Sequence, residues 1–165
     1  MNILAIDNAL ALSGWAVYAD DKLFKYGTFK TNSTDSLGAR LNEVKRCISD
    51  LLERYNIDWV YFEDCQNQSN RNLQTYSKLS MVKGIIFYTL YNAAMPCDCF
   101  APAAWRSILN KEFKIKFGRS RKDQKAAAKN FVKEHFDIEV SEDEADAICI
   151  GLAGIVKKKN EGSAF

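Results

Sequence analysis

The chain has 165 residues, which is the size of one domain and is enough to bury a hydrophobic core. Hydrophobic residues make up 47% and charged residues 27% of the chain, and its net charge is only +2, a composition typical of soluble globular proteins. It contains no apolar stretch of about 18 residues, and its first segment has an early acid and no basic cluster, so neither a membrane span nor a secretory signal is predicted.

The first third of the chain predicts three strands joined by short links, which is typical of an antiparallel meander. These strands cover residues 3–6, 12–18 and 23–29. A helix is predicted over residues 36–55, because apolar residues recur along one helical stripe.

The remaining elements alternate between short strands and helices. A strand over 59–62 ends at Glu63, a long helix covers about 70–94, a strand covers 96–100 and a helix opens at Pro102. We expect a loop through the basic stretch to Arg119, a helix over 120–136 and a last helix from Ser141. The single domain is expected to end at residue 157, before a frayed tail at 158–165.

This order predicts an α/β fold. Its mixed sheet would have three antiparallel strands followed by parallel strands, with flanking helices. The arrangement resembles the ribonuclease H-like fold.

The five cysteines form no repeated CxxC spacing and lie in apolar surroundings. This odd number favours reduced thiols in a cytoplasmic protein over disulfides or a structural metal site. The cysteines are Cys47, Cys65, Cys97, Cys99 and Cys149.

Two carboxylates end predicted strands, where loops converge on rigid elements. Asp7 ends the first apolar run, where a turn role and a ligand role are both reasonable. Glu63 favours function more strongly, because glutamate forms turns poorly and is costly to bury unpaired. The neighbouring Asp64 is the alternative, since the register is ambiguous by one residue.

Two more carboxylates, Asp143 and Asp146, lie three residues apart on one face of the last helix. Ser141 and Glu144 predict a capping box, and acids in a first turn complement the helix dipole, so Asp143 has a structural explanation. Asp146 lies beyond that turn between two alanines, which would let a ligand approach. The alternative pair is Glu142 with Asp146.

Four converging carboxylates would repel one another unless cations lay between them. Two divalent ions about 4 Å apart can activate a water and stabilise the leaving oxygen of a phosphodiester. Mg²⁺ suits a set of oxygen ligands without thiolates or histidines, and Mn²⁺ is the alternative. His135 is expected to be an ordinary surface residue.

A basic segment between residues 111 and 125 carries seven positive side chains against Glu112 and Asp123, a local excess of five. We expect it to bind DNA phosphates, and a merely solvated loop and helix start is the alternative. Its basic residues are Lys111, Lys114, Lys116, Arg119, Arg121, Lys122 and Lys125.

Three segments of the chain resemble the RuvC-type Holliday junction resolvases. ILAIDNALALSGWAV at 3–17 resembles the opening of that family, VYFE at 60–63 its second motif, and DEADAI at 143–148 its final D-x-x-D-A motif. The resemblance covers Ile3 to about Ile155 and depends on the order and spacing of short motifs.

The resemblance implies a ribonuclease H-like homodimer that cuts four-way DNA junctions and other branched DNA in recombination or repair. The catalytic, metal-binding carboxylates would be Asp7, Glu63, Asp143 and Asp146. Lys122 would assist catalysis, Arg106 would contact the DNA backbone, and the helix from residue 70 would form the dimer face or serve core packing. No membrane partner is expected.

The chain departs from the family in two places. Asn8 and Ala9 follow Asp7 where members commonly have proline and glycine, which should alter the turn but leave the ligand. Residues 64–68 lack the aromatic that stacks on a junction base in many bacterial members, which calls base stacking and a strict cutting sequence into question. A compact, divergent member suits a bacteriophage, which would place it in the host cytoplasm.

Three other functions compete with a junction resolvase. An RNA-cutting ribonuclease H-like enzyme would use the same chemistry. A non-catalytic branched-DNA binding module would need the basic segment but not Glu63 or Asp146. An ATP-handling member of the wider superfamily would need glycine-rich phosphate loops, of which Ser13 and Gly14 are only a faint echo.

Overall fold

The computed structural model describes residues 1–65 and 72–162. Its five strands form one sheet in the order β3-β2-β1-β4-β5. The strands are β1 Asn2–Asp7, β2 Leu12–Ala19, β3 Lys22–Lys30, β4 Trp59–Glu63 and β5 Cys97–Phe100. The helices are α1 Leu37–Tyr55, α2 Leu73–Asn92, α3 Pro102–Phe113, α4 Arg121–Phe136 and α5 Glu142–Gly162.

The first three strands pair antiparallel, whereas β4 and β5 extend the sheet in parallel from β1. The predicted α/β class with a mixed sheet is therefore confirmed.

Helices cover both faces of the sheet, which explains why β1 is apolar from Ile3 to Ile6. Ile3 and Ala5 point into a core shared with α3, α4 and α5. Leu4 and Ile6 point into a second core shared with α1 and α2. Side chains alternate along a strand, so a strand buried on both faces has no polar position before its end. The first ionisable side chain of β1 is consequently Asp7, at the rim.

Serine side chains cap the N-terminal ends of α1 and α5. Ser36 accepts a hydrogen bond from the Ala39 amide at 3.2 Å and begins α1. The Ser141 amide donates to Glu144 Oε2 at 2.7 Å, and the Glu144 amide donates to Ser141 Oγ at 3.3 Å. The capping box predicted for the last helix is thus confirmed, and α5 begins at a fixed point.

Small residues let α5 lie close to the sheet. A Cβ at Gly154 would lie 2.3 Å from the Tyr61 ring, well inside contact distance. The Tyr18 hydroxyl, which is buried, donates to the Ile148 carbonyl at 2.7 Å. Steric fit and this hydrogen bond together fix the height of the helix above β1, β2 and β4.

Two helices extend beyond their predicted ends. Helix α3 continues to Phe113, because Phe113 packs on Phe131 and the left-handed Lys114 then ends the helix. Helix α5 continues to Gly162. Two of its last lysines make contacts with the sheet: Lys157 pairs with Asp98 at 3.0 Å, and the Lys158 ammonium lies 3.6 Å from the Trp59 ring centre. Across the part of the chain that is described, no helix is both long and apolar enough to cross a bilayer.

Candidate active site

Asp7 and Glu63 end neighbouring parallel strands. Ile6 pairs with Phe62, so the next residue of each strand lies at the same edge of the sheet. The buried Phe62 faces the core with α1 and α2, and Glu63 accepts a hydrogen bond from the Trp105 indole N–H at 2.9 Å. Asp64 is the weaker candidate, because it is ion-paired with Lys83.

Gly14 brings the acidic start of α5 to the same edge. It is the register partner of Asp7 on β2. A Cβ at Gly14 would lie 1.9 Å from the Asp143 carbonyl oxygen, so only glycine allows this approach. In the sequence, Ser13 and Gly14 are only a faint echo of a phosphate loop, but glycine inside a strand also indicates close backbone contact.

The four predicted carboxylates line one cleft of about 190 Å³. Asp7 comes from β1, Glu63 from β4, and Asp143 and Asp146 from α5. Three basic side chains border the same cleft, namely Arg106 from α3 and both Arg121 and Lys125 from α4. A cleft lined by carboxylates beside basic groups suits a cation and a phosphate bound together.

Burial raises the proton affinity of two of these carboxylates. It raises the pKa of Asp7 well above its ordinary value, and the charges of Glu63, Asp146 and Asp143 add to the effect. Burial, reinforced mainly by Glu63, raises the pKa of Asp146 to about 7, although Arg106 and Lys125 oppose the shift. Within 1–65 and 72–162, no donor reaches the buried Asp146 Oδ1. A buried oxygen without a donor is a ready ligand for a cation.

The basic residues of the cleft are held in different ways. Lys125 pairs with Glu142 Oε2 at 2.8 Å and with Asp143 Oδ1 at 3.6 Å. The Arg106 guanidinium lies 4.4 Å from the Trp105 ring centre, which is a cation–π contact. Glu142, the alternative partner of Asp146, is exposed and outside the cleft, so the geometry favours Asp143.

The cleft includes only part of the predicted basic segment. Arg119 and Lys122 are exposed and do not line it. At about 100° per helical residue, Lys122 lies about 100° around α4 from Arg121 and about 60° from Lys125. The three lysines at the end of α3 and in the following loop border separate grooves; they are Lys111, Lys114 and Lys116. His135 is exposed and stacks on Phe131, as expected for a surface residue.

The predicted metal arrangement is not preformed. Among the described residues, no three histidine, cysteine or carboxylate side chains are arranged to hold an ion. The contacts explain this, because Trp105 holds Glu63 and Lys125 lies against Asp143. These side chains would have to turn by rotamer changes before they could share a cation.

Comparisons with known proteins show what this chain is similar to in sequence and in fold. No family model matches it. The crossover junction endodeoxyribonuclease RuvC of Dictyoglomus thermophilum is 27% identical over 163 residues, which cover 96% of this chain and 99% of that protein.

Two solved structures share the fold. RuvC of T. thermophilus, in complex with a Holliday junction substrate, matches with a TM-score of 0.76 at 17% identity over 97% of this chain and 96% of that one. The yeast mitochondrial Holliday junction resolvase Ydc2 matches with a TM-score of 0.65 at 13% identity over 98% of this chain and 80% of that one. This chain is therefore similar in sequence to a RuvC protein along most of its length, and it shares the fold of the RuvC and Ydc2 structures.

Proposed function

We propose that this chain is a divalent-metal-dependent endonuclease that resolves four-way DNA junctions. The observation that carries the proposal is the meeting of four carboxylates from three separate elements in one cleft bordered by arginine and lysine. A RuvC relative named as a crossover junction endodeoxyribonuclease, and a matched RuvC structure bound to a Holliday junction, favour this substrate.

The ligand set fits Mg²⁺, with Mn²⁺ as the alternative, because every donor offered is a hard carboxylate oxygen. The buried Asp146 Oδ1, which no described donor reaches, supports a cation at this place. Divalent metal bound there would activate water and stabilise the leaving oxygen of the scissile phosphodiester. Asp7, Glu63, Asp143 and Asp146 would hold it.

The basic residues have separate proposed roles. Arg106 and Arg121 border the carboxylates and would orient the scissile phosphate. Lys122, which family resemblance marks as catalytic, lies on the first turn of α4 outside the cleft lining, so a catalytic role would require its long side chain to reach over the rim. The other basic residues of the segment would contact the DNA backbone, where they would position the protein on the DNA without recognising its base sequence. They are Lys111, Lys114, Lys116 and Arg119.

We also propose that the chain acts as a homodimer through α2. One face of α2 packs in the core, through Val82, Ile86 and Leu90. The other face exposes Met81 (45%) and Tyr88 (55%), among other apolar side chains.

The exposed face of α2 continues along one helical stripe through Gly84 to Tyr91, which is 84% exposed. A Cβ at Gly84 would meet no atom within 4 Å, so this glycine leaves room for a second helix. A two-fold dimer would present two clefts to a two-fold branched substrate. The substitution Tyr88→Glu should shift the protein toward a monomer in sedimentation, whereas an unchanged sedimentation coefficient would contradict this interface.

The test of the enzymatic proposal is incubation with a synthetic four-way junction labelled in turn on each strand. With Mg²⁺ we expect paired, symmetric nicks in opposing strands, and with EDTA no cutting. An Asp7→Asn variant should bind the junction without cutting it. An RNA–DNA hybrid serves as the second substrate, and preferential cutting of the hybrid would favour the RNA-cutting alternative. Junction binding without cutting by the wild-type protein would favour the non-catalytic binding module.

Several expectations stay predictions. They include the domain limits, a role in recombination or repair, a bacteriophage source and a cytoplasmic location. The stretch 64–68, which lacks the aromatic that stacks on a junction base in many bacterial members, lies outside the described residues from residue 66 onward.

A further inference from the structure

The side chain of Lys125 occupies the place where a cation would contact α5. Its ammonium group lies 2.8 Å from Glu142 Oε2 and 3.6 Å from Asp143 Oδ1. Only 19% of the side chain is exposed, so solvent screens these contacts less than it screens a surface ion pair. Of the two partners, Asp143 borders the cleft and Glu142 lies outside it.

The charge of the cleft explains why a lysine can remain there. The four proposed ligands and three basic side chains line it, and the fifth carboxylate, Asp64, is ion-paired with Lys83, which leaves a formal excess of one negative charge. Like charges at close range disfavour one another, and Lys125 lowers that cost in the absence of an external cation. Arg106 is placed against the Trp105 ring, whereas Lys125 directly contacts the proposed ligand Asp143.

A divalent ion and the Lys125 ammonium compete for Asp143. Both need the same carboxylate oxygens, and each repels the other. The Glu142 contact lies at the rim and would survive the loss of the Asp143 contact, because Glu142 is not a proposed ligand. Lys125 would therefore stay anchored beside the cleft after leaving Asp143, where a bound phosphate would next attract it.

We propose that Lys125 is an internal counter-ion of the site, which neutralises Asp143 until a divalent cation displaces it and then binds the phosphate of the DNA substrate. This inference rests on the proposed function, since it requires a cation and a phosphodiester in the cleft. It assigns to Lys125 a positioning role that differs from the backbone binding expected of the other lysines in its segment. It also explains why the carboxylates are not preformed as a ligand set.

The test measures metal binding rather than activity. Calorimetric titration of Mg²⁺ into Lys125→Met should give an affinity about three- to tenfold tighter than that of the wild-type protein, because a competing cation is gone. Lys125→Arg keeps the charge and should bind Mg²⁺ nearly as the wild type does. Lys129→Met, one turn further along α4 and exposed, is the matched control and should leave the affinity unchanged.

Junction cleavage at saturating Mg²⁺ supplies the second readout. Lys125→Met should cut at least about tenfold more slowly, because the phosphate loses one charged partner. Tighter Mg²⁺ binding together with slower cutting in Lys125→Met, relative to the wild-type protein, is the result expected if Lys125 is a counter-ion of the site. Unchanged or weaker Mg²⁺ affinity in Lys125→Met overturns the proposal.

A measurement on the wild-type protein avoids dependence on any variant. Lysine ammonium signals followed by NMR during Mg²⁺ titration should change at Lys125 and stay constant at Lys129. A constant Lys125 signal at saturating Mg²⁺ overturns the inference. Wild-type protein that binds no Mg²⁺ at all would instead remove the proposed function, so the two failures are distinguishable.

Discussion

Replacement of Asp146 by asparagine should stabilise the metal-free protein while it removes a proposed ligand. Asp146 is 7% exposed, and within the described part of the chain its Oδ1 has no hydrogen-bond donor. Burial raises its pKa to about 7, so ionisation opposes folding at neutral pH. Asparagine has nearly the same shape and cannot ionise, so the Asp146→Asn variant should avoid this cost.

The size of the effect follows from the pKa. The rise from 3.8 to about 7 corresponds, at about 1.4 kcal/mol for each pH unit, to roughly 4 kcal/mol. Neighbouring groups titrate together and the structure relaxes, so about 2 kcal/mol is the expected gain at pH 8. Between pH 3.8 and about 7 the folded protein binds a proton that the unfolded chain has released. Wild-type stability from this group therefore falls as the pH rises through that window and levels off above it.

Urea unfolding in EDTA at pH 4, 5.5 and 8 measures this dependence. The free-energy difference between Asp146→Asn and wild type should be near zero at pH 4 and should grow to its full value by pH 8. Addition of Mg²⁺ at pH 8 should stabilise the wild-type protein and leave the variant almost unchanged. Equal stabilities in EDTA at pH 8, or a difference that does not change with pH, would refute the reasoning.

Three further predictions concern the cleft and its surroundings. Asp7→Asn and Glu63→Gln should each abolish Mg²⁺-dependent cutting of a four-way junction while binding in a gel-shift assay survives, and retained cutting would remove that residue from the site. Gly14→Ala should cost about 3 kcal/mol or more in unfolding experiments, because its Cβ would overlap the Asp143 carbonyl; wild-type stability would contradict that contact. Neutralising three exposed or rim positions together should weaken junction binding and lower the slope of log affinity against log salt by up to about 3, whereas an unchanged slope would indicate simple solvation. These positions are Arg119, Arg121 and Lys122.

Elements with strong local signals were predictable from the sequence. The meander followed from alternation and short links, and the start of α5 followed from the Ser141 and Glu144 capping pattern. Asp7 and Glu63 could be placed at strand ends because each closes an apolar run. Parallel pairing of β1 with β4 then brought the two together, as the predicted mixed sheet requires.

Features that depend on tertiary contacts were not predictable. Gly14 has no local signature that separates a bend from a close approach, and only the position of α5 decides its role. The Trp105 hydrogen bond to Glu63 joins residues 42 positions apart. The face of α4 that meets the cleft is set by how Ala128 and Val132 pack in the core shared with α5, and this packing places Lys125 in the cleft lining and Lys122 outside it.

The glycine contact between α5 and Tyr61 has a consequence for how the chemistry can be tuned. Gly154 lies eight residues beyond Asp146, or about 12 Å along the helix axis. Because α5 packs directly on the Tyr61 ring at Gly154, a bulkier residue at position 154 would tilt the helix and displace the carboxylates at its N-terminal end. Mutations far from the substrate can thus shift the cleft carboxylates by less than an ångström. Laboratory evolution for altered turnover should select such mutations in the buried contact between α5 and the sheet.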